Sequence, residues 1–410
     1  MLPTNLQAAI AAAAAASPHS TATMARIPGR ELRVDGDGLA YYCAGKDDVV
    51  SPGEARANLI SKVRAAAAAC GAESVVIVTT ARGSHKGYRY AVARAKPYQG
   101  QRTDNRRPQN WAFLREFIEA GVFPDGWTAR FTSIAEADDL FGQPHPDCVI
   151  YTQDKDMRMI EGWHLDWLTH LLHRVTDQFN QFHNDKRWGR GWFWAQLLQG
   201  DTADNIPGLP YFIDGSIVKS GPKVGTLKQN PCGEVGAEKL LANLSSDAGC
   251  CIHIGVAYES CYGDRWLVEM LEQGILLWMR RDLLSDPFDV CAKGHPFHHL
   301  TNHSLYPAAR QEIEQRIAEA KQYEQAQSIG DSPTATPDVE PARTEVQPVL
   351  TAAAVHEVGA RPRPLDGDHP SGTALRLQQP AGQGGEQPPP VRSPKPLRIP
   401  AWHKRLLAAA

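Results

Sequence analysis

The sequence predicts an α/β protein in which a parallel sheet core, with helices on both sides, precedes a mainly helical second lobe. Three observations predict it. SVVIVT (residues 74–79) and DCVIYT (residues 147–152) are continuous β-branched and apolar runs, the mark of strands buried on both faces. Segments with helical apolar spacing separate the strands, and that alternation favours right-handed crossovers and a parallel sheet. After Gly162 the strand signal fades and helical spacing takes over.

Taken in order, residues 31–34 read as a short strand aimed at Asp35 and Asp37. Gly53 and Glu54 open a helix that runs to Ala69, with Leu59, Ile60 and Val63 on its apolar face. A basic segment follows the SVVIVT strand and is broken by Pro97 and Gly100. Residues 111–120 form an amphipathic helix stopped by Gly121, and residues 129–133 a short strand. Beyond Gly162, helices are predicted over 163–175, 192–199, 237–244 and 265–281. No internal repeat is visible.

Composition divides the 410 residues into four parts: an Ala-rich disordered extension (1–29), an α/β core (30–160), the helical lobe (161–325) and a disordered tail rich in Pro, Gly and Gln (326–410). The alanine run at 8–16 lacks a basic flank and leads into a polar segment, so it reads as an extension rather than a signal peptide, with Met24 as a candidate start. No stretch reaches the ~18–20 apolar residues of a membrane span. That predicts a soluble protein without a membrane partner. The eight cysteines show no C-x-x-C pair, which argues against structural zinc and fits reduced cytoplasm.

The net charge of −3 conceals segregation. Arg82, Lys86, Arg89, Arg94, Lys96, Arg102, Arg106 and Arg107 fall in one stretch whose only acid is Asp104. Acids elsewhere come in tight groups: Asp35 with Asp37, Glu136 with Asp138 and Asp139, Asp154 with Asp156, and Asp201 with Asp204. Three of the four groups follow predicted strands, where parallel sheets place their chemistry. Each group alone reads as well as a helix cap or a solvated turn. Together they read as carboxylates that repel one another until cations neutralise them. Oxygen ligands without His or Cys select a hard cation, Mg²⁺ or Mn²⁺, and two such ions can clamp a phosphodiester. A basic strip beside such acids suits a protein that holds a polyanion.

VDGDGLAYYCA, IAEADDLFG, YTQDKDMRMI and GDTADNIPG, in that order, resemble the metal-binding motifs of the phage 5′→3′ exonuclease and flap endonuclease family, which includes the 5′-nuclease domain of bacterial DNA polymerase I. The likeness runs from about Arg33 to Leu244. It implies a PIN-like nuclease core built on the sheet, a helix-hairpin-helix in the second lobe, two Mg²⁺ ions with Mn²⁺ as substitute, and a monomer acting on double-stranded DNA with free 5′ ends or flaps in a bacterial cytoplasm. RNA in RNA–DNA hybrids is a further substrate to test. Asp35, Glu136, Asp138, Asp154, Asp156 and Asp204 match metal-site acids, with Asp139 and Asp201 as further members. HKGYRYAVARAKPYQGQR resembles the family's basic gateway, with Lys86 and Arg89 as the catalytic phosphate-facing pair and Arg94, Lys96 and Arg102 next along the strand path. Gly233, Gly236 and Lys239 match the hairpin that grips duplex DNA, where a K⁺ ion is also expected; SGPKVG upstream is a rival, and residues 211–231, between the GDTADNIPG turn and the hairpin, become an insertion.

Three departures stand out. Thr79 and Thr80 occupy the place of a usual Asp, Gln99 that of a usual Lys, and LFGQPHP is a short loop where relatives carry a longer helix. Two competing readings remain: a nuclease-like protein that only binds DNA ends or branches, and a PIN-type ribonuclease, against which GDTADNIPG and the glycine hairpin argue.

Overall fold

Strand β1 (Glu31–Asp35) lies in the middle of a six-stranded sheet. The computed structural model describes residues 23–45, 49–104, 107–283 and 287–330. After β1 come α1 (Gly36–Cys43), α2 (Pro52–Cys70), β2 (Ser74–Thr80), the short α3 (Arg89–Val92), α4 (Trp111–Ala120), β3 (Thr128–Thr132), α5 (Ala137–Phe141) and β4 (Cys148–Tyr151). Strands β5 (Gly162–Leu165) and β6 (Leu172–Val175) complete the sheet, followed by β7 (Gln181–His183), β8 (Lys186–Trp188) and α6 (Arg190–Gln199). The second hairpin, β9 (Tyr211–Ile217) and β10 (Leu227–Pro231), precedes α7 (Glu234–Leu241), α8 (Asp247–Tyr262), α9 (Trp266–Leu277) and α10 (Tyr306–Gly330).

The sheet order is β3-β2-β1-β4-β5-β6; the first five are parallel and β6 closes the edge antiparallel to β5. The chain moves outward from β1 to β2 and β3, then crosses back to β4. This leaves a topological switch point between β1 and β4, the crevice where open α/β sheets bind ligands. Asp35 and the turn after β4 both open onto it.

Alternation along the strands feeds two cores. Leu32, Val34, Val75, Ile77, Val149 and Tyr151 point to the face covered by α1, α2 and α4, where Leu39, Leu59, Val63, Leu114 and Ile118 are buried. Val76, Val78 and Ile150 point to the other face, where Phe193, Leu197, Met270 and Leu271 pack. Arg33 occupies an inward position on β1 that an apolar residue would ordinarily fill. It is buried by pairing with Glu31 at 2.7 Å and donating to the Leu140 carbonyl at 2.7 Å. Helix α2 starts with a full capping box of Ser51 and Glu54 and ends at Gly71, whose φ of +65° supplies the left-handed cap.

One expected helix is absent. Residues 163–175 form β5, a turn and β6. Trp163, Leu165 and Trp167 fit a period of two as well as a helical one, and Asp166 accepts the N–H groups of Leu168 and Thr169, which turns the chain. Pairing with the exposed edge of β4 then decides the conformation. The sheet therefore continues past residue 160, and the second half adds two hairpins to its helices. Residues 211–231, read as an insertion, are the β9–β10 hairpin.

The lead-in to β1 is bonded rather than loose: the N–H of Met24 donates to Ala68 and that of Ile27 to Gly71. The alanine run and the chain beyond residue 330 lie outside the described residues. All eight cysteines are free thiols. Among the described residues no helix is long and apolar enough to cross a membrane.

Candidate metal centre

Asp35 ends β1 and caps α1, accepting the Gly38 N–H at 2.8 Å and the Thr152 hydroxyl at 2.9 Å. The two glycines of VDGDG are required by close approach. A Cβ on Gly36 would stand 2.4 Å from the Thr79 methyl, and one on Gly38 2.5 Å from the Asp35 carboxylate. Burial raises the Asp35 pKa, opposed by those two hydrogen bonds and the charge of Arg115. Asp37 turns aside to pair with Arg115 and to accept the Thr80 N–H.

Asp154 and Asp156 follow β4. Asp154 caps the turn Lys155–Met159 by accepting the Asp156 N–H at 2.8 Å. Asp154 is exposed at its surface, yet the protein packed around the carboxyl, and then the charge of Asp156, raise its pKa well above the usual carboxylate range. Asp138, in the first turn of α5, is raised equally clearly, by burial first and then by Asp154, Asp35, Glu136 and Asp156. Burial pushes Asp156 up to about 6 against the opposing charge of Lys155. Asp35, Asp138, Asp154 and Asp156 thus crowd one another at the switch point.

The remaining acids are already neutralised. Asp139 is fully buried, held by both guanidinium nitrogens of Arg89 at 2.8 and 2.9 Å and by the Arg280 N–H at 2.9 Å. Burial alone would raise its pKa, but the Arg89 charge brings it below the ordinary value. Asp201 pairs with Lys155, whose ammonium also lies 3.1 Å from Asp156. Asp204 takes Arg102, the Tyr98 hydroxyl at 3.0 Å and the Gln99 amide at 3.0 Å. Glu136, the cap of α5, is contacted by Tyr98 at 2.8 Å, Arg89 at 3.2 Å and Lys86 at 3.4 Å.

The basic strip does not form one face. Arg89 is 1% exposed, so the expectation that it faces a substrate phosphate does not match its placement. Arg82 pairs with Glu119 and Arg94 with Glu319 on α10. Lys96 is exposed, and Arg106 lies outside the described residues. Lys86 remains at the acids: its ammonium donates to the Gln99 side-chain amide oxygen at 2.7 Å while its side chain stays partly open. Lys86 and Tyr88 carry φ of +50° and +62° around Gly87 at +66°, a run of left-handed residues that turns the segment inward. In the hairpin region, Gly233 caps α7 and Gly236 packs so closely that a Cβ would meet the Pro231 carbonyl at 2.7 Å. Lys239 is engaged by Asp214 at 2.5 Å on β9.

Tyr98, Lys155, Gln196 and Thr152 escaped sequence reasoning. Tyr98 is 4% exposed and links Glu136 to Asp204; its neighbour Gln99 was the only signal. Gln196 donates to Asp156, and its side-chain amide oxygen is buried without a partner among the described residues. Among the described residues no three His, Cys, Asp or Glu side chains, as placed, close into a finished metal cage. The donor chemistry of Asp35, Asp138, Asp154 and Asp156 nevertheless fits a hard divalent cation: oxygen-only, convergent and mutually repelling. Asp201 and Asp204 do not offer a second site unless Lys155 and Arg102 move aside.

No family model matches the chain, and no curated protein matches it in sequence. In three dimensions it is similar to solved structures from bacteriophage T5. They include a protein co-crystallized with metal ions (15% identity, TM-score 0.39, covering 70% of this chain and 99% of that one). A flap endonuclease complex with DNA and metal ions gives 14% identity, a TM-score of 0.39 and coverage of 70% and 98%. A 5′-exonuclease with bound zinc gives 14%, 0.41, 70% and 98%. Superposition this loose assigns neither activity nor substrate.

Proposed function

We propose that this chain is a divalent-cation-dependent nuclease that hydrolyses DNA phosphodiester bonds in the 5′→3′ direction, as an exonuclease or on flaps. The observation that carries the reading is the cluster of Asp35, Asp138, Asp154 and Asp156 at the switch point, with raised pKa values. Such a cluster is costly unless a cation offsets it. Mg²⁺, or Mn²⁺ in its place, would polarise the phosphodiester there and offset the charge that develops on hydrolysis.

The chain's own groups supply orientation. Thr152 and the Gly38 N–H fix Asp35; Gln196 and Lys155 fix Asp156. Tyr98 and Gln99 tie Glu136 to Asp204 and so wall the crevice on the side of the gateway segment. Lys86, partly open at that wall, is the cation that would meet a phosphate, with exposed Lys96 further along the strand path. The resemblance puts the duplex grip at Gly233, Gly236 and Lys239, at the start of α7. Gly233 leaves the first turn of α7 open to a DNA phosphate or a K⁺ ion. The phage setting, the monomeric state and a cytoplasmic location come only with the resemblance.

The test is linear duplex labelled at either end, together with flap, RNA–DNA hybrid and closed circular substrates, in Mg²⁺, Mn²⁺ or EDTA. Early release of 5′ label as short products, persistence of 3′ label and resistance of circles are expected. Early loss of 3′ label or rapid cutting of circles would overturn the polarity. A second reading, a protein that binds DNA ends without cutting them, draws on Lys155 and Arg102 at the second acid group and on Thr80 in place of an acid. Tight binding of flaps with no cleavage in either metal would establish it.

A further inference from the structure

The amino ends of β4 and β5 open into a cavity of about 480 Å³, at the opposite ends of the strands from the acid cluster. Arg174, Arg190, Arg281 and Lys293 line it, against the carboxylates Asp147 and Glu161. Asp147 is already engaged by Arg30 at 2.8 Å, and Arg190 by Asp247 at 2.6 Å. Arg281 is held differently. Its guanidinium donates to two backbone carbonyls, Met159 at 2.9 Å and Met279 at 3.1 Å, and lies 4.6 Å from the Trp278 ring centre. The nearby Asp289 carboxylate accepts the Arg281 backbone N–H and the Trp278 indole instead.

Burial pulls the Arg281 pKa down to about 10, against the charges of Asp289 and Glu161, and the neighbouring Arg190 adds to the drop. The placement depends on Gly142, where a Cβ would stand 2.2 Å from the Arg280 carbonyl and 3.1 Å from the Arg281 guanidinium. Exposed Arg174 and Lys293 form no ion pair among the described residues, and Arg174 lies 5.7 Å from the Trp163 ring centre. The cavity thus pairs a desolvated guanidinium and unpaired cations with an indole at its wall.

We propose that this cavity binds a nucleotide, with Arg281 and Lys293 on the phosphate and the Trp163–Arg174 face against the base. Arginine is the side chain best suited to a phosphate because its planar donors match the oxygens in pairs. Stacking on an aromatic face holds a base of any sequence. The volume is in the range of small-molecule sites. The same chemistry can arrive as a free mononucleotide or as the terminal nucleotide of a strand, and the site stands whether or not the acid cluster cuts DNA.

The experiment is titration of the full chain in EDTA with deoxyadenosine monophosphate, deoxyadenosine and a short 5′-phosphorylated oligothymidine, read by indole fluorescence and calorimetry. Without divalent cations the acid cluster repels anions, so it does not contribute. Saturable binding of the monophosphate, no binding of the nucleoside, and a loss of about ten-fold or more in Arg174→Glu/Lys293→Glu are expected, the scale of charge-assisted contacts. Binding of the oligonucleotide alone, weakened by the same variant, also supports the site and assigns a strand as its source. Both positions are exposed, so the variant should melt like the parent. Absence of saturable binding by either phosphate ligand, or equal affinity in the variant, overturns the proposal.

Discussion

The Asp138 carboxylate forms no hydrogen bond or ion pair among the described residues, whereas Arg89 meets two carboxylates. The contrast separates a group waiting for a charge from one already satisfied. Asp138→Asn should remove cleavage while relieving repulsion, so in EDTA the variant should melt no lower than the parent. A cation at about 100 times its dissociation constant stabilises a folded protein by about 2.7 kcal/mol, and the variant should lose most of that increment in Mg²⁺. Melting with and without the ion measures both halves; normal turnover would remove Asp138 from the centre. Arg89→Ala is expected to act on stability instead, costing about 3–5 kcal/mol because it strands buried Asp139. Urea unfolding of Arg89→Ala beside Arg89→Met/Asp139→Leu tests this, and the double variant should recover much of the loss. Lys86→Ala is the gateway substitution expected to slow turnover, lowering the slope of log affinity against log salt by about 0.9 if its ammonium meets a phosphate. An unchanged slope and rate would place it outside the strand path.

At the scale of elements, the β5–β6 pair carries a pH dependence. His164 on β5 is buried, its ring bonded to the Ile160 carbonyl and stacked on His173. Burial lowers its pKa to about 3, and lowers that of His173 to about 4. Below the ordinary value of 6.5 the unfolded chain takes a proton that the folded one refuses. Stability from this group is therefore complete above about pH 6.5 and declines as pH falls toward about 3, at up to about 1.4 kcal/mol per unit. The raised carboxylates shift stability in the opposite direction on acidification, so the informative quantity is a difference. His164→Gln should flatten the acid limb between about pH 6 and 4 relative to the parent, and parallel limbs would refute the assignment. The same pair explains where sequence reasoning stopped. SVVIVT and DCVIYT are too apolar and β-branched to be anything but buried strands, and the acid groups at their ends were legible with them. Residues 163–175 satisfy two periods at once, and only the open edge of β4 settles which is used. The partnership of Arg89 with Asp139 was invisible because each residue has a plausible local role and the two are far apart in sequence.

At the scale of the molecule, α10 marks how much chain the fold needs. Ile313 and Ile317 are buried, and Arg316 pairs with buried Glu272 at 2.7 Å while donating to the Val92 carbonyl. From Lys321 to Ala326 every residue is exposed. A chain ending at Gln327 should keep the parent's melting temperature and specific activity, whereas one ending before Tyr306 should lose several degrees by removing buried Ile313 and Ile317 from the core and stranding Glu272. A fall in melting temperature in the chain ending at Gln327 would mean that the deleted tail packs on the core.

The crossing from β3 back to β4 has a consequence in time as well as in space. Asp35 enters the sheet with the first strand, Asp138 lies on that return crossing, Asp154 arrives after it, and Asp204 follows a further helix. Contacts between segments so distant in sequence are slow to form, because loop closure must precede any gain from pairing. The acids therefore converge only once segments spanning residues 35 to 204 have come together. A chain emerging from synthesis holds its carboxylates apart and cannot gather a cation until most of the sheet is in place, so competence to bind the ion reports on completion of the fold.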